Sequence, residues 1–284
     1  MLNVLVTGGN GQLGSEIREI TSEFSDQLRL FFVTRENLNL ENEAEIEKFI
    51  STNQIQAIVN TAAYTAVDLA EKETEKAKIS NVIIPKLLAK IANSHKIQML
   101  HISTDFAFDG KSGKPYKEDD QTSPISVYGR TKEEGEREVL SELPKAIIVR
   151  TSWVYSKYGN NFLKTMRRLG KERPELKVIY DQIGTPTWAR DLARVILKMI
   201  QIKDLSGFYH YSNEGIASWY DFAKEILDLS QIKTKILPIE TSEYPTPATR
   251  PTYSVLNKKK IKQSLNIEIP HWKDSLKACL SELD

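Results

Sequence analysis

A tyrosine and a lysine four residues apart, Tyr128 and Lys132, are the side chains in this sequence best suited to proton transfer. Residues with this spacing lie on one face of a helix, so the phenol and the ammonium group would be neighbours. A phenol with an ordinary pKa of about 10 is a poor acid–base catalyst at neutral pH. We expect the ammonium group to favour the phenolate and to lower the pKa of Tyr128. Because this spacing also arises by chance, its meaning depends on what lies nearby.

Two hydroxyl side chains, Ser103 and Thr104, end an apolar run that is typical of a buried strand. Open α/β sheets bind their ligands beyond the carboxyl ends of the strands. A hydroxyl group at that edge can orient a substrate carbonyl. This placement strengthens the interpretation of Tyr128 and Lys132 as a catalytic pair.

A glycine-rich turn follows the first strand-like run and has glycines at positions 8, 11 and 14. Glycine permits a tight turn and lets backbone N–H groups approach a pyrophosphate, and the N-terminus of the following helix adds partial positive charge. The sequence therefore predicts a dinucleotide site, with an ordinary strand-to-helix turn as the alternative. The predicted cofactor contacts here are Gly8, Asn10, Gly11, Gln12, Leu13 and Gly14.

The residues after the second strand indicate which dinucleotide is preferred. An acidic residue at that point would bond the ribose 2′-hydroxyl of NAD, and Thr34 stands there instead. Arg35 follows, and a cation can pair with the 2′-phosphate of NADP. We predict NADPH as the cofactor, with NADH also accepted; a surface arginine without this role is the alternative for Arg35.

The elements that must position these residues alternate in the first half of the chain. The strand-like runs are 2–7, 28–33, 57–60, 99–103 and 146–151, and the helical patterns between them include 43–51, 76–93 and 128–140. This alternation predicts a doubly wound parallel-sheet Rossmann fold of the α/β class. After Trp153 the rhythm changes, and we predict a smaller interleaved C-terminal lobe. Residues 1–151 and 189–213 would bind the dinucleotide, and residues 152–188 and 214–284 the substrate.

Composition excludes several classes of protein. The 39 Lys and Arg residues nearly balance the 38 Asp and Glu residues, so nucleic acid and anionic membrane surfaces are not expected partners. Cys279 is the one cysteine, which excludes an intrachain disulfide and a cysteine-based zinc site. No apolar run approaches the roughly 18–20 residues of a membrane span. We expect a cytoplasmic protein.

Segments along nearly the whole chain carry a family resemblance. The most specific are Ala62-Ala63-Tyr64-Thr65-Ala66-Val67-Asp68, Trp153-Val154-Tyr155 and Pro245-Thr246-Pro247-Ala248. Further matches lie at 11–14, 60–61, 103–110, 123–124, 128–132, 150–152, 160–162, 184–187, 244 and 249–251. With these segments the chain resembles the dTDP-4-dehydrorhamnose reductases, a family of extended short-chain dehydrogenase/reductases.

The resemblance implies an activity and a set of roles. The reaction would be NAD(P)H-dependent reduction of the C4 keto group of a dTDP-linked 4-keto-6-deoxy sugar. Thr104, Tyr128 and Lys132 would be the catalytic triad, with Tyr128 as the proton donor and Lys132 also on the nicotinamide ribose. Ala62, Ala63 and Tyr64 would line the cofactor, and Tyr128 would also contact it. The substrate would contact Val67, Thr104, Asp105, Phe106, Tyr128, Trp153 and Arg250. A homodimer is compatible with the resemblance.

This chain departs from the family pattern at several positions. Phe106 stands where the family usually has tyrosine, which removes one hydroxyl contact to substrate, and Thr34 replaces the usual acidic residue. Some relatives are dimers bridged by a divalent metal through glutamates. Glu16 matches one such ligand, but Arg190 falls where another would be, so we predict no metal.

Other interpretations remain open from sequence. An epimerase of the same superfamily and a non-catalytic regulatory subunit of methionine adenosyltransferase both share the fold. A 4,6-dehydratase is disfavoured, because Phe106 occupies the position of its second carboxylate. Trp153 would alternatively be a core aromatic and Arg250 a clamp on its proline-rich loop. We expect His101 to be a core residue or to support the site from behind.

Overall fold

The computed structural model describes residues 1–283. The strands, in chain order, are β1 (Leu2–Thr7), β2 (Leu28–Phe32), β3 (Ala57–Asn60), β4 (Gln98–Thr104), β5 (Ile147–Thr151), β6 (Val154–Tyr155), β7 (Glu175–Ile179), β8 (Ile183–Gly184), β9 (Thr187–Trp188), β10 (Gly207–His210), β11 (Ala217–Ser218) and β12 (Lys235–Ile239). The helices are α1 (Gln12–Glu19), α2 (Glu43–Thr52), α3 (Val67–Ala70), α4 (Thr74–Lys78), α5 (Ile84–Ser94), α6 (Val127–Glu142), α7 (Phe162–Glu172), α8 (Ala189–Met199), α9 (Trp219–Leu229), α10 (Lys259–Leu265) and α11 (Trp272–Leu280).

The central sheet has six parallel strands in the order β10-β5-β4-β3-β1-β2. The chain moves outward from β1 to β2 and then crosses to β3 on the other side of β1. This reversal opens a crevice beyond the carboxyl ends of β1 and β3, where open α/β sheets bind ligands. The predicted doubly wound fold is confirmed.

Side chains alternate between the two faces of the sheet along each strand, and helices cover and bury both faces. Val4 and Val6 of β1 face one core, which α1 and α8 cover, whereas Leu5 faces a second core under α2, α5 and α6. A third core lies among α7, α9 and α11 around Phe222 and Trp272. Between α7 and α9 the chain returns to the main sheet, since α8 packs in the first core and β10 pairs with β5.

The helix predicted over 76–93 is interrupted. A π-type segment, Ile79–Ile83, separates α4 from α5. Pro85 explains the break, because it has no N–H to donate to the carbonyl four residues earlier, that of Asn81. Gly135 of α6 lies against this carbonyl, so closely that a Cβ there would be 1.9 Å from the oxygen. The interruption lets α6 approach and turns the Asn81 side chain toward the Tyr64 backbone N–H, which donates to Asn81 Oδ1 at 2.8 Å.

A buried ion pair ties α6 to the sheet. Arg150 of β5 donates from Nε to Glu136 Oε1 at 2.9 Å and from Nη2 to Oε2 at 2.7 Å, with 3% and 1% of the two side chains exposed. The guanidinium also lies over the rings of Phe108 and Phe208. Removing one partner of such a pair leaves an uncompensated charge in the protein interior.

We predict that Glu136→Gln lowers the free energy of unfolding by about 3–5 kcal/mol, the range for breaking a buried pair. The control is Glu172→Gln, which removes the exposed i,i+4 pair with Arg168 and should change stability little. Urea unfolding of both variants measures the difference. Equal stabilities for the two variants would contradict the prediction.

Candidate active site

A cavity of about 1120 Å³ opens at the carboxyl edge of the central sheet. Single-ligand sites usually measure roughly 300–1,000 Å³, so this space can take more than one ligand-sized group. Its wall includes nearly all of the predicted site residues, from both parts of the chain. These are Gly8, Asn10, Gly11, Gln12, Leu13, Thr34, Arg35, Ala62, Ala63, Tyr64, Val67, Thr104, Asp105, Phe106, Tyr128, Lys132, Trp153 and Arg250.

Gly14 is the predicted residue that the cavity wall does not include. A Cβ at Gly14 would stand 2.3 Å from the carbonyl oxygen of Gly8, so this glycine lets α1 pack tightly on the turn from behind. Gly8 itself has a φ of +66° and lies against Thr61 and Ala62. In the described part of the chain, no side chain caps α1 at Gly11. The first N–H groups of α1 are therefore placed to meet an anion, and the turn fits a pyrophosphate.

A hydrogen-bonded network fixes the strand ends below the turn. Thr7 Oγ1 of β1 donates to Asn60 Oδ1 of β3 at 2.6 Å, and Asn60 Nδ2 lies 2.9 Å from His101 Nδ1 of β4. His101 is fully buried, and burial lowers its pKa well below the ordinary value. A neutral His101 therefore belongs to the support of the site rather than to its chemistry.

The end of β4 and the start of α6 bring the proposed catalytic groups together. Thr104 Oγ1 donates to Asp105 Oδ1 at 3.1 Å and accepts from the Phe106 N–H at 3.2 Å, and it also bonds the Tyr128 hydroxyl. The Phe106 ring meets the Tyr128 ring edge-on, with centroids 5.5 Å apart. Gly129 permits this approach, since a Cβ there would be 2.4 Å from the Phe106 carbonyl oxygen.

Two acceptors hold the first turn of α6, on which Tyr128 stands. The Gly129 N–H donates to Ser126 Oγ at 3.1 Å, and the Val127 N–H donates to Glu71 Oε1 at 2.8 Å. Side-chain oxygens at these positions satisfy helix N–H groups that have no partner within the helix. The phenol is thus placed by a capped, anchored helix end.

The expected lowering of the Tyr128 pKa is wrong. Burial of the phenol raises its pKa to about 12, the Asp105 charge adds to the rise, and the bond with Thr104 opposes it. Lys132 does not reverse this, because its Nζ donates to the Ile102 carbonyl at 2.6 Å, and burial lowers its own pKa to about 8 against the raising effect of Glu136. Tyr128 is therefore protonated at neutral pH, which is the form a proton donor needs.

Arg250 is held by its own loop and by Asp68. Its two terminal nitrogens donate to Asp68 Oδ1 at 3.0 Å and Oδ2 at 2.7 Å, and one of them also contacts Thr246 and the Ala248 carbonyl. This pairing holds the pKa of Asp68 below its usual value. Arg250 thus clamps the proline-rich loop to α3 while lining the cavity.

Trp153 also lines the cavity, among aromatic neighbours that the sequence did not predict. Its ring stacks on Trp219, with centroids 3.6 Å apart and planes 7° apart, and Phe162 packs against Trp219. All three rings line the cavity. No spacing or motif linked residues 153 and 219, because their contact depends on the packing of the C-terminal part of the chain.

The position matched to a metal ligand holds an ion pair instead. Glu16 is buried and accepts from Arg190 Nε at 2.8 Å and from Ser156 Oγ at 2.6 Å. Arg190 also pairs with Glu282. Across residues 1–283 there is no group of three or more His, Cys, Asp or Glu side chains that could hold a metal ion. In the same part of the chain, no helix is long and apolar enough to cross a membrane.

The buried carboxyl of Asp105 makes stability depend on pH. Burial raises its pKa from 3.8 to about 6, although bonds with Ser254 and Thr104 oppose the rise. The folded protein therefore binds this proton more tightly than the unfolded chain, and the resulting stability is lost as the pH rises from about 4 through 6. We predict that Asp105→Asn gains stability over wild type as the pH goes from 4.5 to 7.

Urea unfolding at the two pH values measures this gain. Asp109→Asn is the control, because bonds with the Lys111 N–H and the Tyr116 hydroxyl help to hold the pKa of Asp109 below its usual value of 3.8. That carboxyl titrates below the tested range, so the stability difference between Asp109→Asn and wild type should stay nearly constant from pH 4.5 to 7. A pH-independent difference between Asp105→Asn and wild type would contradict the assignment.

Comparisons with known proteins agree with this geometry. The family model described as RmlD substrate binding domain matches residues 2–284. The chain is 40% identical over 290 residues to a dTDP-4-dehydrorhamnose reductase of Aggregatibacter actinomycetemcomitans, covering 98% of each chain. It is 39% identical over 283 residues to the spore coat polysaccharide biosynthesis protein SpsK of Bacillus subtilis, covering 99% of this chain and 98% of that one.

Solved structures give the same result. A dTDP-4-dehydrorhamnose reductase of Clostridium acetobutylicum superposes with a TM-score of 0.94 at 42% identity, covering 99% of both chains. One from Bacillus anthracis in complex with NADP superposes with a TM-score of 0.94 at 37% identity, covering 99% of this chain and 100% of that one. A dTDP-glucose 4,6-dehydratase at 18% identity shares the fold alone. With full-length matches in sequence and structure, the chain belongs to the dTDP-4-dehydrorhamnose reductase family.

Proposed function

We propose that this protein reduces the C4 keto group of dTDP-4-dehydro-L-rhamnose with NADPH, giving dTDP-L-rhamnose. The observation that carries the proposal is the group formed by Thr104, Tyr128 and Lys132 at the carboxyl edge of the sheet, in one cavity with a glycine turn. Family membership supplies the substrate, since close relatives bear the name of this reductase.

The proton chemistry follows from the protonation states in the site. A bound reduced nicotinamide supplies the hydride, which leaves negative charge on the C4 oxygen. Thr104 Oγ polarises the carbonyl, and Tyr128, protonated at neutral pH, donates its proton to that oxygen. Lys132 keeps two N–H donors beyond its bond to Ile102, which suits a ribose hydroxyl. Thr104, Tyr128 and Lys132 are thus the proposed catalytic residues.

The proposed cofactor site runs from the glycine turn to the ends of β2 and β3. Gly8, Asn10, Gly11, Gln12 and Leu13 would hold the pyrophosphate, with Gly14 supporting the turn from behind. Ala62, Ala63 and Tyr64 would lie along the cofactor, and Thr34 with the exposed Arg35 would meet the 2′ position. The Thr34 N–H is held by Asn37 Oδ1 at 2.6 Å, so this turn is ordered before a phosphate arrives.

The proposed sugar nucleotide site lies at the other end of the cavity. Val67, Asp105, Phe106, Trp153 and Arg250 would contact the substrate, and all five line the cavity wall. We assign residues 1–151 and 189–213 to dinucleotide binding and residues 152–188 and 214–284 to the sugar nucleotide. The pairing of β10 with β5 supports placing the second of these ranges with the sheet. We also propose that the protein is cytoplasmic, forms a homodimer and binds no metal.

One assay tests the reaction. The protein is incubated with dTDP-4-keto-6-deoxyglucose, a 3,5-epimerase and NADPH, and the product is identified. Stoichiometric NADPH oxidation with formation of dTDP-L-rhamnose is expected. A rearranged keto sugar formed without NADPH oxidation when the added 3,5-epimerase is left out would identify an epimerase, and no turnover with intact binding would favour a regulatory protein.

We predict that Tyr128→Phe lowers kcat by about 10²–10⁴-fold, the usual contribution of a general acid. The fold and the cofactor affinity should be unchanged, since the ring is retained. Tyr180→Phe, which removes an exposed phenol outside the cavity wall, is the matched control. Steady-state kinetics and NADPH titration measure both effects. A Tyr128→Phe enzyme with most of its rate would overturn the assignment.

Cofactor choice gives a further prediction. Thr34→Asp should shift kcat/KM toward NADH by adding repulsion against the 2′-phosphate, and Arg35→Ala should shift it the same way by removing attraction. The shifts should be moderate and should shrink at high salt, because Arg35 is exposed and screened. Kinetics with both cofactors at two salt concentrations measure this. A strong wild-type preference for NADH that neither variant moves would show that these residues do not contact the 2′ position.

A further inference from the structure

The backbone of Trp153 is in a conformation that bulky residues rarely adopt. Its φ is +46°, in the left-handed region that usually belongs to glycine. Trp153 stands two residues beyond Thr151, which is the register partner of Thr104 on the neighbouring strand. An unfavourable backbone conformation so close to the proposed reaction centre persists only where the surroundings enforce it.

Hydrogen bonds on both sides hold this backbone. The Thr187 N–H donates to the Trp153 carbonyl at 3.1 Å, and Ser152 Oγ donates to the Thr185 carbonyl at 2.7 Å. Thr185 directly follows β8, which ends at Gly184, and Thr187 begins β9, which pairs with β6. The turn between β5 and β6, where Trp153 lies, is thereby held against the segment from β8 to β9.

Trp219 covers one face of the Trp153 indole. The rings are nearly parallel, with centroids 3.6 Å apart. Trp219 is the first residue of α9, and a capping box formed by Ser218 and Asp221 fixes the start of that helix. Its ring is therefore a rigid support rather than a mobile surface group.

Gly184 makes room for the same indole. A Cβ at Gly184 would be 2.6 Å from Trp153 Cε2 and 2.8 Å from Cζ2 and Nε1. The φ of Gly184 is not positive, so this position needs glycine for space and not for backbone freedom. Gly184 pairs with Ala217 on β11, two residues before Trp219, so one short pair of strands carries both neighbours of the indole.

We infer that Gly184 and Trp219 are positioning residues that set Trp153 as a fixed wall for the apolar face of the sugar ring. The inference rests on the proposed function, which puts a 6-deoxy sugar at this end of the cavity. The register of Thr151 with Thr104 places Trp153 beside the sugar rather than beside the nucleotide base. An indole face offers a large, rigid apolar surface that suits the C–H face and the methyl group of such a sugar.

Binding of two ligands separates sugar contacts from nucleotide contacts. The Kd values of dTDP-L-rhamnose and of dTDP are measured for wild type, Gly184→Ala, Trp219→Ala and Trp219→Phe. The control is Gly113→Ala, since a Cβ at Gly113 meets nothing within 4 Å. Circular dichroism of the coupled indoles reports directly whether Trp153 and Trp219 remain stacked.

Gly184→Ala and Trp219→Ala should lose the indole coupling. They should raise the Kd of dTDP-L-rhamnose roughly three- to tenfold, the contribution of one aromatic contact, and leave the Kd of dTDP unchanged. Compared with Trp219→Ala, Trp219→Phe should keep most of the wild-type affinity for dTDP-L-rhamnose. The circular dichroism signal of the indole pair is lost in this variant, because the second indole is absent. Gly113→Ala should match wild type in every measurement.

Three results would overturn the inference. Unchanged indole coupling in Gly184→Ala would show that Gly184 does not seat Trp153. Lost coupling with an unchanged ratio of the two Kd values would show that Trp153 does not contact the sugar. If Gly184→Ala does not fold, equal Kd ratios in Trp219→Ala and wild type would likewise show that the sugar does not contact Trp153.

The same measurements keep this inference distinct from the proposed function. A wild type that binds dTDP-L-rhamnose and dTDP equally would overturn this inference and the proposed substrate together. Absence of turnover with a normal binding ratio would overturn the reductase activity alone.

Discussion

The close approach of α6 to its neighbours is the contact on which the rest of the site depends. Gly129 lies against the Phe106 carbonyl and Gly135 against the Asn81 carbonyl, at distances that leave no room for a Cβ. Between these two contacts the helix carries Lys132, and Tyr128 directly precedes the first of them. A larger side chain at either glycine would push the helix outward and move the phenol away from Thr104. The helix break caused by Pro85 belongs to the same arrangement, since it shapes the surface that Gly135 meets.

Burial, more than any single neighbour, sets the charges in the site. It raises the pKa of Tyr128 to about 12 and that of Asp105 to about 6, and it lowers that of Lys132 to about 8. Glu136 partly offsets the last effect, and Arg150 in turn pairs with Glu136. The charged side chains of Arg150, Glu136 and Lys132 therefore follow one another from β5 through α6 to the cavity. The negative charge of Glu136 favours the ammonium form of Lys132, which burial disfavours.

The C-terminal part of the chain supplies the opposite wall with two different kinds of contact. Arg250 brings a cation that its own loop and Asp68 already hold, which limits how far the guanidinium can move. Trp153 brings an apolar face fixed by stacking and by the gap at Gly184. A charged anchor and an apolar wall in one cavity match a ligand with a phosphate group and a deoxygenated sugar. The pair of Arg250 with Asp68 joins the two parts of the chain, whereas the contacts of Trp153 with Gly184 and Trp219 lie within the part that we assign to the sugar nucleotide.

Local sequence determined much of this protein. The glycine turn, the Tyr128–Lys132 spacing and the position of Thr104 at a strand end each lie within a few residues, so short-range geometry was enough to single them out as candidates. The alternation of strands and helices likewise predicted the doubly wound sheet. Only the tertiary structure decided the rest: the sign of the Tyr128 pKa shift, the partnership of Arg250 with Asp68, and the placing of Trp153 by Gly184 and Trp219. Desolvation and packing depend on which distant segments surround a side chain, and no local pattern encodes that.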